Sequence, residues 1–293
     1  MSSNIIEVQK LSRRFDGKFA LNELSISIPR GGVFGLIGGN GAGKTTLIRH
    51  LLGLLRPESG TVRVFGMDPI RSTREVLGRV GYLSEDRDLP DWMRISELMS
   101  YTQAFYPAWD PIFAEQLRND FDLNPKARVR TLSRGQRARA GLLIALAHRP
   151  DLLLLDEPSS GLDPVVRRDI LGSIIRTVAD EGRTVLFSSH LLDEVERVAD
   201  QVAIIHHGRI LLTGAMDEIR ERHRRVTLRF RNEVSRPPEL IGTIGFEGSG
   251  HEWTYLCSGE QSQLRYAAEA LGAVIVEDSA LTLDEIFVSR VLN

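Results

Sequence analysis

A strand-like apolar run, Val33-Phe34-Gly35-Leu36-Ile37, leads into Gly38-Gly39-Asn40-Gly41-Ala42-Gly43-Lys44-Thr45, and a helix-like run from Lys44 to Leu52 follows. The middle stretch fits the pattern G-x-x-x-x-G-K-[ST] without a mismatch. No other feature restricts the fold as tightly. A loop of this kind needs a buried strand before it and a helix N-terminus after it, aimed at the bound group. Its glycines let successive N–H groups, with those of Ala42 and Thr46, curl toward phosphate oxygens. Lys44 then offers a fixed positive charge to the β- and γ-phosphates, and the Thr45 hydroxyl a ligand for Mg²⁺. The pattern implies a nucleoside triphosphate.

At 293 residues the chain can hold one large domain or two ordinary ones. A net charge of −2 gives no global electrostatic case for nucleic acid as a partner. The single cysteine, Cys257, excludes an internal disulfide and reads as a small buried hydrophobe. No segment approaches the roughly 18 consecutive apolar residues of a spanning helix. Met1-Ser2-Ser3-Asn4 lacks the basic and apolar regions of a signal peptide, so the chain by itself is expected to be soluble and cytoplasmic.

Alternating patterns over Ile5–Leu11 and Ala20–Ile28, with an Asp16-Gly17 turn between them, predict a hairpin-rich β layer ahead of the loop. Strands are expected at Thr61–Phe65 and Val80–Leu83. Trp92, Tyr101, Phe105, Tyr106, Trp109, Phe113 and Phe121 crowd the next stretch at helical spacing, which marks a helical insertion over about 86–150. These aromatics read chiefly as core, with a docking surface as the second use. Apolar strands return at Leu152–Leu155, Thr184–Phe187 and Val202–Ile205, alternating with helices near Arg137–His148, Val166–Ala179 and Leu191–Val198. That alternation predicts a parallel sheet covered on both faces. His206-His207 reads as a hairpin edge rather than a metal pair, since strand neighbours face opposite ways. The run Arg220–Arg225 reads as a solvated linker. Beyond it, strands at Arg225–Phe230, Glu252–Leu256 and Ala273–Val276 and helices at Gln261–Leu271 and Leu283–Val291 predict a small α+β domain. The expected domains are therefore 1–220 and 221–293.

Asp151-Leu152-Leu153-Leu154-Leu155 ends in adjacent carboxylates, Asp156 and Glu157. A buried strand of this kind puts Asp156 at the carboxyl edge of the sheet, where it can hold Mg²⁺. Glu157 is then placed to orient a water against the γ-phosphate and accept its proton.

Gly38 to Thr45, Leu132-Ser133-Arg134-Gly135-Gln136, Leu152 to Glu157, Ser160-Gly161-Leu162-Asp163 and Ser188-Ser189-His190 stand in the order found in ATP-binding cassette (ABC) ATPases, which residues 5 to about 220 resemble. The resemblance implies an α/β fold: a P-loop ABC-type nucleotide-binding domain with a mixed β core, an antiparallel β layer and a helical insertion, here followed by the small α+β domain. It implies ATP and Mg²⁺ as cofactors and Mg²⁺-dependent ATP hydrolysis. Leu132 to Gln136 resembles the signature loop, in which Ser133 and Gly135 would reach the γ-phosphate of a second copy while the helix near Gln136 adds its positive end. Arg134 departs from the usual glycine. His190 matches the histidine that contacts the γ-phosphate, Asp163 the aspartate that links the two sites, and Phe15 the aromatic that stacks on adenine. Glu85 stands where most of the family has a glutamine near the metal and the attacking water, a substitution familiar among cassettes of type-2 exporters. Leu281–Phe287 resembles the C-terminal extension of those cassettes. Implied partners are a second copy, head to tail, and a separately encoded membrane permease, which would place the chain on the cytoplasmic face of the membrane. An N-K-x-D guanine-reading motif is absent, and zinc cysteines, a second P-loop and a heptad run are absent too, which disfavours soluble cassettes acting on nucleic acid.

Overall fold

The structure, a computed structural model, describes residues 4–163 and 181–292 together with 167, 175, 178 and 179. The helix expected at Val166–Ala179 lies largely outside the described residues. Two compact units are present, 1–212 and 213–293.

In the first unit, β1 (Asn4–Phe15) and β2 (Lys18–Pro29) form the expected hairpin about Asp16-Gly17, and β4 (Ser59–Val64) joins β1 to complete an antiparallel sheet in the order β2-β1-β4. The second sheet runs β5-β6-β7-β3-β8-β9. Its strands are β3 (Gly32–Ile37), β5 (Val80–Leu83), β6 (Leu152–Leu155), β7 (Thr184–Ser189), β8 (Gln201–His206) and β9 (Arg209–Ala215). β3, β5, β6, β7 and β8 pair in parallel, as the uninterrupted apolar runs require. All four residues of β6 are fully buried. β8 returns through His207-Gly208 into β9, and the His206 and His207 rings pack with centroids 4.0 Å apart.

Helix α1 (Lys44–Leu51) inserts Leu47, Ile48 and Leu51 between the two sheets, against Val8, Leu24 and Ile26 of the antiparallel layer and Phe34, Leu154 and Leu186 of the parallel one. That core ties the loop ahead of α1 to both sheets. α2 (Thr73–Leu77) precedes β5. The insertion contains α3 (Ile95–Gln103), α4 (Pro111–Asp120), a short 3₁₀ turn at Val129–Thr131 and α5 (Arg134–Leu146). Its aromatics divide. Trp109 and Phe121 are buried, Tyr106 is half-buried and stacks on His148 at 3.9 Å, and Trp92, Tyr101 and Phe105 are exposed. α6 (Leu192–Val198) packs on β3.

The second unit begins at 213 rather than at 221, because α7 (Met216–Arg222) belongs to it: Met216 and Ile219 are buried and the Ile219 carbonyl meets the His223 ring at 2.8 Å. Its sheet runs β11-β12-β10-β13, from β10 (His223–Phe230), β11 (Thr243–Ser249), β12 (Glu252–Ser258) and β13 (Ala273–Ala280), with α8 (Gln261–Ala270) and α9 (Leu283–Leu292). The reading of Arg220–Arg225 as a linker is corrected. The run closes α7 and opens β10, His223 is buried, Arg224 bonds Asp278 at 2.5 Å and Arg225 pairs with Glu285. A charge block reads as solvated only while its partners, here 54 and 60 residues away, are out of view. β11 escaped the pattern because Gly245 and Gly248 interrupt its alternation. Cys257 is fully buried in this core, and burial raises its thiol to about 11.

Candidate active site

The order of the parallel sheet assembles the site. β7 lies between β6 and β3, so the carboxyl ends of these three strands adjoin, and each continues into a chemically distinctive loop. β3 feeds the Gly38–Gly43 loop, β6 delivers Asp156 and Glu157, and β7 delivers His190. Gly43 has φ +115°, and a Cβ there would lie 2.5 Å from the Ala20 carbonyl oxygen, so the last turn before Lys44 admits only glycine.

Residues Gly39 to Thr46, together with Glu85 and Glu157, line a cavity of about 230 Å³. Lys44 Nζ donates to Gly38 O at 2.6 Å and to Gly39 O at 3.4 Å, and it stands 2.9 Å from Glu157 Oε1. Both side chains of that ion pair are nearly buried, 6 % and 5 % exposed. The other Glu157 oxygen, Oε2, meets His190 Nδ1 at 2.8 Å. Glu157 itself sits at φ +48°, a conformation that costs a non-glycine residue on the order of 1 kcal/mol and is typical of functional positions.

Asp156 and Glu157 share one partner that the sequence did not single out. Ser188 Oγ donates to Asp156 Oδ1 at 2.7 Å and accepts from Glu157 N at 2.9 Å. The signal was the strand register: Leu155 pairs with Phe187, which brings the next residue of each strand side by side. Burial, and next the negative charge of Asp156, push the Tyr82 phenol up to about 12. Arg87 was also missed. It is buried at φ +50°, and its Nη2 donates to Pro158 O at 3.1 Å and Ser160 O at 2.6 Å, tying the Glu85 loop to the segment after Glu157. Burial and the nearby Arg134 lower its pKa, with Glu85 opposing.

Not every residue expected at the site lines this cleft. Phe15 is exposed at the hairpin tip, with the Arg13 guanidinium 5.0 Å from its ring centre. Asp163 is exposed. Ser133 and Gln136 cap α5 reciprocally: Ser133 Oγ accepts from Gln136 N at 3.2 Å, and Gln136 Oε1 accepts from Ser133 N at 3.0 Å. Gly135 lies within that turn. Arg134 is exposed, and its Nη1 lies 3.5 Å from the Cβ position of Gly161.

A glycine loop at a helix N-terminus, a buried lysine and paired carboxylates at a sheet edge define a P-loop nucleotide-binding fold. The family model described as "ABC transporter" matches residues 21–160. The chain is 32% identical over 225 residues to the bacitracin transport ATP-binding protein BcrA of Bacillus licheniformis, covering 76% of this chain and 74% of that one. It is 27% identical over 286 residues to the ABC transporter ATP-binding protein YtrB of Bacillus subtilis (strain 168), 98% of both chains. A solved structure of an ATP-binding subunit of an ABC transporter superposes with TM-score 0.67 at 27% identity, covering 74% of this chain and 92% of that one. The chain belongs to the ABC transporter family as its ATP-binding, ATP-hydrolysing subunit.

Proposed function

We propose that two copies of this chain bind Mg²⁺ and ATP head to tail and, seated on a separate membrane permease at the cytoplasmic face, drive export. The observation that carries the reading is the placement of Glu157, bonded at once to Lys44 and His190 at the mouth of the phosphate loop. On nucleotide binding Lys44 exchanges Glu157 Oε1 for phosphate oxygens, because a buried cation gains more from the β- and γ-phosphates than from one carboxylate. Glu157 is thereby released to accept a proton from the attacking water, while His190 holds its other oxygen in position. Thr45 and Asp156 are hard oxygen donors that fit Mg²⁺. Asp156 accepts from Ser188 through Oδ1, and Thr45 and Glu85 border the same cavity. The metal when bound offsets charge on the phosphates.

Ser133 is exposed at the start of α5, which supports its serving, with Gly135 and Gln136, the γ-phosphate of the second copy, with Asp163 linking the two sites and the exposed Phe15 stacking on adenine. Among the described residues no helix is long and apolar enough to cross a membrane, so a permease must supply the path. Trp92, Tyr101 and Phe105 are 67%, 51% and 62% exposed, and Tyr101 and Phe105 pack edge to face at 5.1 Å. Exposed aromatics in the insertion that follows Glu85 in the chain suit docking of the permease. The export direction rests on Glu85 and on the resemblance of Leu281–Phe287 to exporter cassettes.

The deciding experiment is Glu157→Gln. ATP turnover should fall about 10²- to 10⁴-fold with nucleotide affinity near normal. Full activity in that variant would remove Glu157 from the role of base.

A further inference from the structure

Glu194 stands outside the cleft and outside every motif quoted above, yet this charged side chain is only 4% exposed. It is carried on α6, which β3 holds at close range: a Cβ on Gly35 would lie 2.3 Å from Val195 Cγ1. Its contacts go to two loops. Oε2 accepts from Ser159 Oγ at 2.7 Å and from Ser189 Oγ at 3.0 Å, and Oε1 lies 3.2 Å from Arg167 Nε. Ser159 is two residues beyond Glu157, and Ser189 immediately precedes His190. Ser189 Oγ also accepts from Leu191 N at 3.0 Å, so the backbone on both sides of His190 is referred to the same hydroxyl. Its proton favours Glu194 over the Leu191 carbonyl, which lies further off at 3.3 Å.

A buried carboxylate is a costly way to fill space, and an apolar residue of similar volume would pack there without desolvating a charge. What a carboxylate does, and an apolar group cannot, is bind two hydroxyls with one oxygen and so fix the loops that carry them relative to each other. We propose that Glu194 is a positioning residue that sets the spacing between the Glu157 loop and the His190 loop, and so holds the 2.8 Å contact between His190 Nδ1 and Glu157 Oε2. It touches neither substrate nor the reacting atoms. The inference rests on the roles given above to Glu157 and His190.

The test uses the full chain, with steady-state ATPase kinetics, fluorescent-nucleotide titration and thermal melting. Glu194→Ala should lower kcat about 10²-fold, the usual consequence of displacing a catalytic group by about 1 Å, with ATP affinity within about twofold. Glu194→Gln keeps an acceptor oxygen for the serines and should recover most of that loss. The pair Ser159→Ala/Ser189→Ala severs the same tie from the other side, so it should lower kcat in the same way, and adding Glu194→Ala to it should cost little more. Unchanged kcat in Glu194→Ala, or in the double serine variant if Glu194→Ala does not fold, overturns the proposal. So does a loss confined to ATP affinity. Glu157→Gln measured alongside separates the two failures. If it is inactive while Glu194→Ala is fully active, the tie alone is wrong. If it is active, the reading of the base beneath it is wrong.

Discussion

At the cleft around the Gly38–Gly43 loop, Lys44, Asp156 and Glu157 are buried and bonded to one another or to strand neighbours. In the turn Leu132–Gln136, Ser133 and Arg134 are exposed, and Ser133 and Gln136 cap each other. The two regions are built from similar materials, a polar turn leading into a helix N-terminus, and they differ in what surrounds them. The cleft is enclosed by three adjoining strand ends and by α1, whose core spans both sheets. The turn Leu132–Gln136 opens α5, which is anchored by its buried residues and leaves the turn at its start open. A buried, internally paired half and an open, self-capped half make sense together if the second is completed from outside the chain.

The largest expected effect breaks that pairing directly. Lys44→Ala should weaken nucleotide binding by the single chain on the order of tenfold or more, since bound phosphates lose their nearest fixed cation. Ser133→Arg should leave that affinity within about twofold. In a Glu157→Gln background, the same Ser133→Arg should abolish the ATP-dependent dimer in sedimentation. Equal weakening of single-chain binding by both substitutions would show that the two regions act as one site within a chain.

An intermediate effect comes from acid. His148 follows α5, is 2% exposed and bonds Val80 O at 3.1 Å through Nε2, so it joins the end of α5 to β5. Burial, outweighing its backbone hydrogen bonds, lowers it to about 4. As pH falls, the unfolded chain therefore takes up the proton first. Stability is full above about 6.5 and is lost toward about 4, by an amount on the order of 3 kcal/mol. Denaturant titrations across that window should show the slope. His148→Gln keeps a donor for Val80 O and cannot be protonated, so it should flatten it. A slope unchanged in His148→Gln assigns the acid sensitivity elsewhere.

The smallest effect tests the cap itself. Gln136→Ala removes one of the two reciprocal bonds at the start of α5 and should cost about 0.5–1 kcal/mol in denaturant stability. A loss several times larger would mean that the loop is tied into the fold more deeply than an open turn allows.

Much of the cleft was legible in the chain because its chemistry is local. Glycines at fixed offsets, a lysine at a helix start and carboxylates at the end of a four-leucine strand each carry their meaning within about ten residues. The helical insertion was visible as a change of character, but the side on which each aromatic lay was not: Trp109 and Trp92 look alike in sequence, and only packing buries one and exposes the other. Arg220–Arg225 misled for a related reason, since the carboxylates that pair Arg224 and Arg225 arrive from β13 and α9. β11 was invisible because two glycines erase its alternation, while its pairing with β12 supplies the order that the side chains do not.

The sequence by itself marked Gly38–Thr45 as a phosphate-loop pattern and Lys44, Asp156 and Glu157 as its candidate partners, because that pattern is written in consecutive residues. Only the tertiary structure decided that Ser188 serves both Asp156 and Glu157, that Arg87 holds Pro158 and Ser160, and that Glu194 binds the serines beside Glu157 and His190. All but one of these bonds join residues 31 to 73 positions apart; the exception, between Ser189 and Glu194, joins the end of β7 to α6. A serine, an arginine or a glutamate carries no sign of such a partner until parallel strands bring their ends to one edge, where desolvation makes each buried polar group find a mate.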